Sequence, residues 1–455
     1  PQPPAAPGQG REASRAVPAR PAAPAVTSSQ ILGRLDFPKC PQCSANVGMQ
    51  SELCPRCHSR VRRCLAGHIS GPTANECAHC ERPLLAVSER WAVFRGAGSS
   101  GWTPEAVRPP LRLAWKFRPP EGYVQWTSPV LDANLVYAGA SDGFIYAIRG
   151  GVALWRSPMD GPIRTDFVPE TCVPACEEGK VFIGHMGGAV AAVEAATGKM
   201  LWQTDVRGTP SGPIRPALGC LFVPVSPSPN DGAVCALDMD GNELWRYPIK
   251  SPVYCCPAYA ATSIIVTTAD GSILALRAGR DVEGDRLLWR HDEHGDEFDT
   301  SVAVSREGIY ATSHAGKMLC LHPQTGEVIR RWMSPTGNLI HSSPAIGAGG
   351  TDGQVYFGTD DRSSYVVSAL TAQTIVAHLT GGVILGSPVI SDDIVYVGSQ
   401  DGSLYAIGPG CHRIEAAYKL SAGLQITSSP AVGNGLVVFA GSDGYLYALE
   451  ACGAG

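Results

Sequence analysis

Short runs of alternating apolar and polar residues recur at a regular interval from about residue 111 onward. An Asp-Gly pair flanked by two such runs is typical of a tight β-hairpin turn, in which glycine supplies the positive φ. The repeat therefore predicts pairs of antiparallel strands whose aspartates serve the turn. The copies are SDGFIYAI (141–148), NDGAVCAL (230–237), ADGSILAL (269–276), QDGSLYAI (400–407) and SDGYLYAL (442–449).

A third and a fourth strand accompany each hairpin. Upstream lies a strand start that resembles Ser-Pro, and eight of these starts follow one another at intervals of 41 to 45 residues: SPVL (128), VPAC (173), RPAL (215), CPAY (256), SVAV (301), SPAI (343), SPVI (387) and SPAV (429). Downstream lies a strand that carries Trp155, Trp202, Trp245, Trp289 or Trp332, with His378 and Tyr418 at the two places where the tryptophan is lost. Four short strands in such an interval are typical of a propeller blade.

The pattern predicts an all-β fold, an eight-bladed β-propeller over residues 111–452. The eighth repeat lacks its own tryptophan strand, and the segment LRLAWKF with Trp115 precedes the first repeat. We expect residues 111–118 to close the last blade, because a closed ring leaves no open sheet edge. Removal of the chain up to residue 105 is then expected to leave the propeller stable.

The first quarter of the chain has a different composition. Residues 1–36 are rich in proline and alanine and predict a disordered tail, residues 37–85 carry clustered cysteines, and residues 86–110 suggest a linker. The 455 residues have a formal net charge of -5, which gives no general attraction to nucleic acid or to an anionic membrane. No apolar run is long enough for a membrane helix, so no membrane partner is expected.

The clustered cysteines predict a double zinc ribbon. Two Cys-x2-Cys pairs can present four thiolates to one ion, and a second set adds three sulfurs and one nitrogen. His58 or His79 could replace His68 in the second set. With four protein ligands each, both Zn²⁺ ions would be structural. The predicted ligands are Cys40, Cys43, Cys54 and Cys57 for the first site and Cys64, His68, Cys77 and Cys80 for the second.

The other nine of the 16 cysteines are scattered and odd in number, which favours reduced, buried thiols. No signal peptide is visible, although the sequence begins at Pro1 and an upstream segment could have been removed. These two observations predict a cytoplasmic protein.

The tryptophan strands AVEAATGKMLW (192–202) and CLHPQTGEVIRRW (320–332) resemble the pyrroloquinoline-quinone (PQQ) propeller repeat. That family contains quinone-dependent dehydrogenases and also non-enzymatic scaffolds, such as the barrel-assembly lipoprotein of the outer membrane. The resemblance implies that an enzyme would need a calcium ion, a base and a clamp for the quinone, and alcohol-type members bridge two adjacent cysteines over the cofactor. Cys255 and Cys256 are adjacent, but no residues can be assigned to the calcium and base positions, so PQQ is not expected.

The residues at equivalent strand starts are expected to ring one mouth of the propeller. The candidates for cofactor binding at this mouth are Trp126, Cys255, Cys256, Asp299, His341 and Gln425. The hairpin turns reach the same face and, with Asp360 and Asp361, would make it acidic, which favours a basic partner.

The sequence predicts a non-catalytic interaction scaffold, a component of a bacterial multi-protein assembly. Protein partners would dock on a propeller face or on the zinc module. A quinone- or redox-cofactor-dependent dehydrogenase that uses the mouth is the first alternative. Nucleic-acid binding through the ribbons is a further alternative and is not favoured, because the zinc thiolates bring the charge of the module to about zero.

Overall fold

The computed structural model describes the propeller and a short hairpin before it. The described residues are 62–63, 69–70, 91–96, 98–124, 127–132, 134–161, 163, 172–260, 262–280, 282, 284–305, 307–347, 353–408 and 413–452. The predicted tail, all eight predicted zinc ligands and Trp126 lie outside them. Every regular element in this part of the chain is a β-strand. Within it, no helix has the length and apolar character needed to cross a membrane.

The strands form one short hairpin and eight blades. The hairpin pairs β1 (Arg62–Arg63) with β2 (Ile69–Ser70). Blades 1 to 4 contain β5 (Val130–Asp132), β6 (Leu135–Gly139), β7 (Phe144–Arg149) and β8 (Val152–Pro158); β9 (Ala175–Glu177), β10 (Lys180–His185), β11 (Ala189–Glu194) and β12 (Met200–Asp205); β13 (Thr209–Pro210), β14 (Arg215–Ala217), β15 (Cys220–Ser228), β16 (Asp231–Asp238) and β17 (Glu243–Ile249); β18 (Ala258–Ala260), β19 (Ser263–Thr267), β20 (Ser272–Arg277) and β21 (Leu287–Asp292).

Blades 5 to 8 repeat the same antiparallel order, and blade 7 has one further strand that pairs parallel with its inner strand. They contain β22 (Ala303–Val304), β23 (Ile309–Thr312), β24 (Lys317–Leu321) and β25 (Val328–Met333); β26 (Ala345–Ile346), β27 (Gln354–Gly358), β28 (Ser363–Ser368) and β29 (Thr374–Leu379); β30 (Val389–Ser391), β31 (Ile394–Gly398), β32 (Ser403–Ile407) and β33 (Ile414–Lys419), joined by β3 (Trp102–Thr103); β34 (Ala431–Gly433), β35 (Leu436–Ala440), β36 (Leu446–Ala451) and β4 (Leu111–Phe117).

The last blade closes as the sequence predicts. Strand β4 pairs antiparallel with β36, and Trp115 lies opposite Ala448 in this register. The outer strand of blade 8 therefore comes from the residues that precede blade 1. All eight blades are complete, which confirms the all-β, eight-bladed propeller.

Tryptophans of the outer strands join neighbouring blades. Trp155 of blade 1 donates its Nε1 hydrogen to the Ala195 carbonyl of blade 2 at 3.1 Å, and its ring fills the space where a Cβ on Gly198 would lie. Trp289 and Gly326 repeat the arrangement between blades 4 and 5. The Thr-Gly pairs of the repeat thus have a steric reason, because only glycine lets the indole of the preceding blade approach so closely.

A chain of serine hydrogen bonds joins the starts of the inner strands. In each case a backbone amide of one blade donates to the serine Oγ of the next blade at 2.8–3.2 Å. This serine seam runs from blade 4 to blade 1 and explains the Ser-Pro starts. Blades 2 and 3 carry Val173 and Arg215 at the equivalent position. The seam comprises Cys256, Ser301, Ser343, Ser387, Ser429 and Ser128.

Residues 91–103, the central segment, lie inside the ring. The carbonyl of Trp91 accepts from the Leu131 amide of blade 1 at 2.8 Å, and the carbonyl of Gly101 accepts from the Ile390 amide of blade 7 at 2.7 Å. Further bonds reach blades 2, 5 and 6, and only a segment on the central axis can reach the inner strands of so many blades. The prediction of a linker therefore fails for these residues, because they are packed within the propeller.

Two buried arginines hold the central segment. Arg215 of blade 3 donates to the carbonyls of Phe94 at 2.8 Å and Gly96 at 3.0 Å, and also to Pro257 of blade 4 at 3.0 Å. Arg95 of the segment donates to the carbonyls of Pro344 and Pro388 on blades 6 and 7. The two guanidinium groups thus satisfy carbonyls on both sides of the axis, which a buried backbone requires.

Candidate functional site

The hairpin turns form one face of the propeller, and most of their aspartates serve the fold. Asp443 accepts the Tyr445 amide at 3.2 Å on Oδ1 and the Tyr447 hydroxyl at 2.6 Å on Oδ2. The same tyrosine, four residues after the aspartate, recurs in three other blades. Gly444 has a φ of +81°, as the turn requires. These contacts confirm that the aspartates are turn residues.

Blades 5 and 6 bring four ionisable side chains together at the mouth. Asp299 and His341 precede the inner strands of the two blades, and His314 and Asp360 lie in their turns. The equivalence is visible in the backbone, because His314 donates its amide to the Glu297 carbonyl and Asp360 donates to the Leu339 carbonyl. Blade 5 thus has an aspartate before its inner strand and a histidine in its turn, whereas blade 6 has a histidine before its inner strand and an aspartate in its turn.

One donor atom from each of Asp299, His314 and His341 lies within 4.8 Å of the others. Asp299 Oδ2 is 2.9 Å from His314 Nε2 and 3.6 Å from His341 Nδ1. The two imidazole rings meet edge to face, with centroids 4.6 Å apart. Each side chain is about three-quarters buried, so the cluster is open to solvent on one side only.

The remaining ring nitrogens also face carboxylates. His314 Nδ1 is 3.4 Å from Glu297 Oε2, and His341 Nε2 is 3.6 Å from Asp360 Oδ2. Pairing with Asp299, and then with Asp360, raises the pKa of His341 to about 10. Burial raises the pKa of Asp299, but its contacts with the two histidines outweigh burial and lower it overall. The contacts therefore favour the ionised carboxylate of Asp299 and the protonated imidazole of His341.

The connection that carries Glu297 and Asp299 is held in place by a buried ion network. Lys317 Nζ lies 2.8 Å from Glu293 Oε2 and 3.0 Å from Asp296 Oδ2. Asp296 also accepts the Ala315 amide at 2.9 Å, from the same turn that carries His314. The two segments that supply Asp299 and His314 are therefore fixed to each other.

The other predicted mouth residues do not join this cluster. Cys255 and Cys256 are buried free thiols. Cys255 Sγ accepts the Thr267 amide at 3.2 Å, whereas Cys256 Sγ accepts from Arg215 at 3.4 Å. The Gln425 amide donates to Ser442 Oγ within blade 8. Trp126 lies outside the described residues.

The described mouth does not fit a calcium–quinone group. Calcium takes six to eight oxygen ligands. Among the described residues, the one group with three metal-ligating side chains in reach of a common ion contains two imidazoles. The adjacent cysteines, which the resemblance would require as a bridge, each have a separate contact. No reaction step that uses PQQ is therefore assigned to these residues.

His314 was missed by the sequence reasoning. Its turn reads SHAG (313–316) and lacks the Asp-Gly pair that marks five of the other turns. Alignment of this turn with TDDR (359–362) would have placed His314 and Asp360 at the same position. The departure from the repeat was itself the available signal.

Solved structures with a similar fold include a BamB protein and a dehydrogenase. The BamB crystal structure from Moraxella catarrhalis matches with a TM-score of 0.61 and 17% identity, over 76% of this chain and 99% of that chain. A europium-containing methanol dehydrogenase matches with a TM-score of 0.63 and 13% identity, over 79% and 98%. At these identities the similarity establishes the fold alone.

Sequence relatives include two outer membrane protein assembly factors named BamB. The protein from Burkholderia pseudomallei is 23% identical over 367 residues, which cover 72% of this chain and 90% of the relative. The protein from Nitrosomonas eutropha is 22% identical over 160 residues, which cover 34% of this chain and 37% of the relative. The second match thus spans little more than a third of that relative.

The relatives overturn the prediction of a cytoplasmic protein, because they are outer membrane protein assembly factors. That prediction relied on unpaired cysteines. Seven of the eight free cysteines that the structure describes are buried, and a buried thiol reports close packing rather than the redox state of its compartment. The expected absence of a membrane partner stays a prediction.

A family model matches the chain over residues 92–224 and again over residues 188–329. The two matches overlap and together span just over half of the chain, including the central segment and the first blades. The family is described as outer membrane protein assembly factor BamB. The chain belongs to this family.

Proposed function

We propose that the chain is a non-catalytic, protein-binding component of outer membrane protein assembly. The observation that carries this proposal is the closed ring whose centre is filled by the chain's own segment, with Arg95 and Arg215 fully buried. A rigid disc of this kind offers its faces and rim for recognition. Membership of the BamB family is the reason for proposing outer membrane protein assembly as the process in which the chain acts.

The hairpin-turn face is the docking surface that we favour. Burial raises the pKa of Asp401, but hydrogen bonds from Tyr405 and Ser403 outweigh it, and the net shift is downward. Asp270 and Asp361 behave in the same way. These aspartates therefore stay ionised at neutral pH, although Arg290 and Lys419 lie near Asp270 and Asp401, and they would suit a basic partner surface.

The test is a reconstituted assembly reaction. Vesicles that contain the outer membrane assembly components of the source organism receive an unfolded β-barrel protein, and its folding is followed by the change in gel mobility on heating. Addition of the full-length chain is expected to accelerate folding. An unchanged rate, with no complex between the chain and the components, would contradict the proposal.

Site-specific cross-linking tests the face. A photo-reactive residue at Gln400, in a turn of blade 7, is expected to capture an assembly component. The same residue at Asn434, in the connection after the inner strand of blade 8, is the matched control on the opposite face. We expect capture at Gln400 to weaken as salt rises. Capture at Asn434 alone would place the partner on the other face.

We also propose that two structural zinc ions hold the cysteine-rich module together. The support is the ligand spacing in the sequence, which suits one four-thiolate site and one site with three thiolates and His68. Elemental analysis of the full-length chain tests this proposal. Replacement of Cys40 and Cys43 by serine should remove one zinc, and replacement of Cys77 and Cys80 should remove another.

The dehydrogenase alternative has a separate test. Quinone absorbance in the purified chain, or a bridge between Cys255 and Cys256, would support it. The fold neighbours include such enzymes, but the separate contacts of the two thiols do not favour a bridge.

A further inference from the structure

We propose that Asp299, His314 and His341 bind a divalent transition-metal ion at the mouth, with Zn²⁺ as the ion that the donors suit best. The ligating atoms would be Asp299 Oδ2, His314 Nε2 and His341 Nδ1. Two imidazoles and one carboxylate are common zinc ligands. This site is independent of the proposed role in membrane protein assembly.

Two of the three separations between the donor atoms are close to those around a tetrahedral ion, and the third is no longer than 4.8 Å. Two ligands that lie 2.0–2.1 Å from zinc at a tetrahedral angle are about 3.3 Å apart. Asp299 Oδ2 is 2.9 Å from His314 Nε2 and 3.6 Å from His341 Nδ1, which brackets this value. Asp299 Oδ1 has no hydrogen-bond partner among the described residues, whereas Asp299 Oδ2 already lies 2.9 Å from His314 Nε2. Small movements of the side chains would therefore complete the coordination.

The contacts of the second ring nitrogens of His314 and His341 match those of metal-bound histidines. Such histidines commonly direct the second ring nitrogen at a carboxylate, which fixes the ring and raises its basicity. Here Glu297 Oε2 faces His314 Nδ1, and Asp360 Oδ2 faces His341 Nε2. Both histidines thus have a carboxylate partner on the side away from Asp299.

The position of the ion would give it two consequences. Its ligands come from blades 5 and 6, so it would join these blades at the mouth. With three protein ligands, a fourth position would be left for water or for a side chain of a docked protein. The buried network around Lys317 holds the ligands in advance, which lowers the entropic cost of binding.

The experiment compares zinc content between variants of the full-length chain. After metal removal and reloading, His314→Gln and His341→Gln are each expected to hold one zinc fewer than the wild type. His294→Gln, an exposed histidine five residues before Asp299, should hold the wild-type number. Because only the difference is measured, zinc bound by the cysteine module does not affect the result.

Zinc affinity distinguishes the three proposed ligands from the carboxylates that face the second nitrogen of each histidine ring. Asp360→Asn is expected to keep the stoichiometry and to weaken zinc binding about 10- to 100-fold, the usual effect of losing such a partner. Equal zinc content in the wild type and the His341→Gln variant would overturn the proposal. The four side chains would then be an ion-pair network that joins two blades.

A measurement on the wild type avoids any variant that fails to fold. Diethyl pyrocarbonate acylates accessible imidazoles, and mass spectrometry identifies the modified residue. Zinc should protect His314 and His341 and leave His294 reactive. Equal modification with and without zinc would also refute the site.

Discussion

Arg215 offers the sharpest test of the central segment. Its side chain is 1% exposed and donates to three carbonyls, two of which belong to the segment. We consider Arg215→Met, which keeps an unbranched side chain and removes every donor. The variant should leave the blades intact and loosen the segment.

The expected cost follows from the contacts. Each buried carbonyl that loses its donor costs about 1–3 kcal/mol. Against this, the substitution relieves the desolvation of a guanidinium that has no carboxylate within ion-pair distance among the described residues. The free energy of unfolding should therefore fall by about 2–4 kcal/mol. Ser343→Ala is the matched control, because it removes one seam bond and should cost about 1 kcal/mol.

Two measurements check this prediction. Urea unfolding followed by tryptophan fluorescence gives the change in stability. Amide hydrogen exchange at Leu131 and Cys176, which donate to the segment, reports whether it is held in the ring. If Arg215→Met costs no more than Ser343→Ala, or if both amides stay protected, Arg215 does not hold the segment.

Three further predictions follow from the fold. A chain that lacks residues 1–104 should melt at a lower temperature than one that lacks residues 1–90, because only the first loses the buried central segment; equal melting temperatures would restore the linker interpretation. Gly198→Ala should destabilise the protein by about 1–3 kcal/mol more than Gly179→Ala in thermal unfolding, since both have φ of +73° but only Gly198 touches an indole; equal losses would exclude that contact. Burial raises the pKa of Glu177 to about 7, so the folded state loses stability as pH rises from about 4.5 to 7. In urea titrations, Glu177→Gln should therefore raise the free energy of unfolding by about 2–3 kcal/mol at pH 8 and change it little at pH 4.5. An equal gain at both pH values would contradict this.

The repeat made the fold predictable. Alternation with period two, glycine turns and a regular interval define four strands per blade, and the missing eighth tryptophan strand identified Leu111–Phe117 as the closing strand. The turn aspartates were also predictable, because their role is local. These features depend on residues that lie close together in the sequence.

The central segment could not be predicted in this way. Its sequence, WAVFRGAGSSGWT (91–103), has the glycine and serine content of a linker and no strand alternation. Its backbone bonds are divided among the inner strands of several blades, with one bond to most of them and a two-residue pairing with blade 7, so no periodic pattern marks them. Its larger apolar residues, among them the buried Trp91, Val93 and Phe94, were the only signal of burial.

The mouth was predicted in part. Equivalence of strand starts placed Asp299 and His341 at the same opening, and in the structure their side chains lie 3.6 Å apart. It could not show that the turn of blade 5 brings a second histidine to them. The contact of His314 with Asp299 and His341 requires blades 5 and 6 to be neighbours in the ring. It also depends on a turn whose sequence departs from the repeat.

The closing strand has a consequence for the time course of biosynthesis. Arg112 pairs with Glu450, 338 residues later, and Arg95 contacts Pro388, 293 residues later. At about 5–20 residues per second, synthesis of the intervening chain takes roughly 20–70 s. Throughout this interval the nascent protein carries an apolar strand, Leu111–Phe117, whose partner does not yet exist. The outer strand of blade 8 is thus made before any strand of blade 1, and its partner Leu446–Ala451 is the last strand of the ring to emerge.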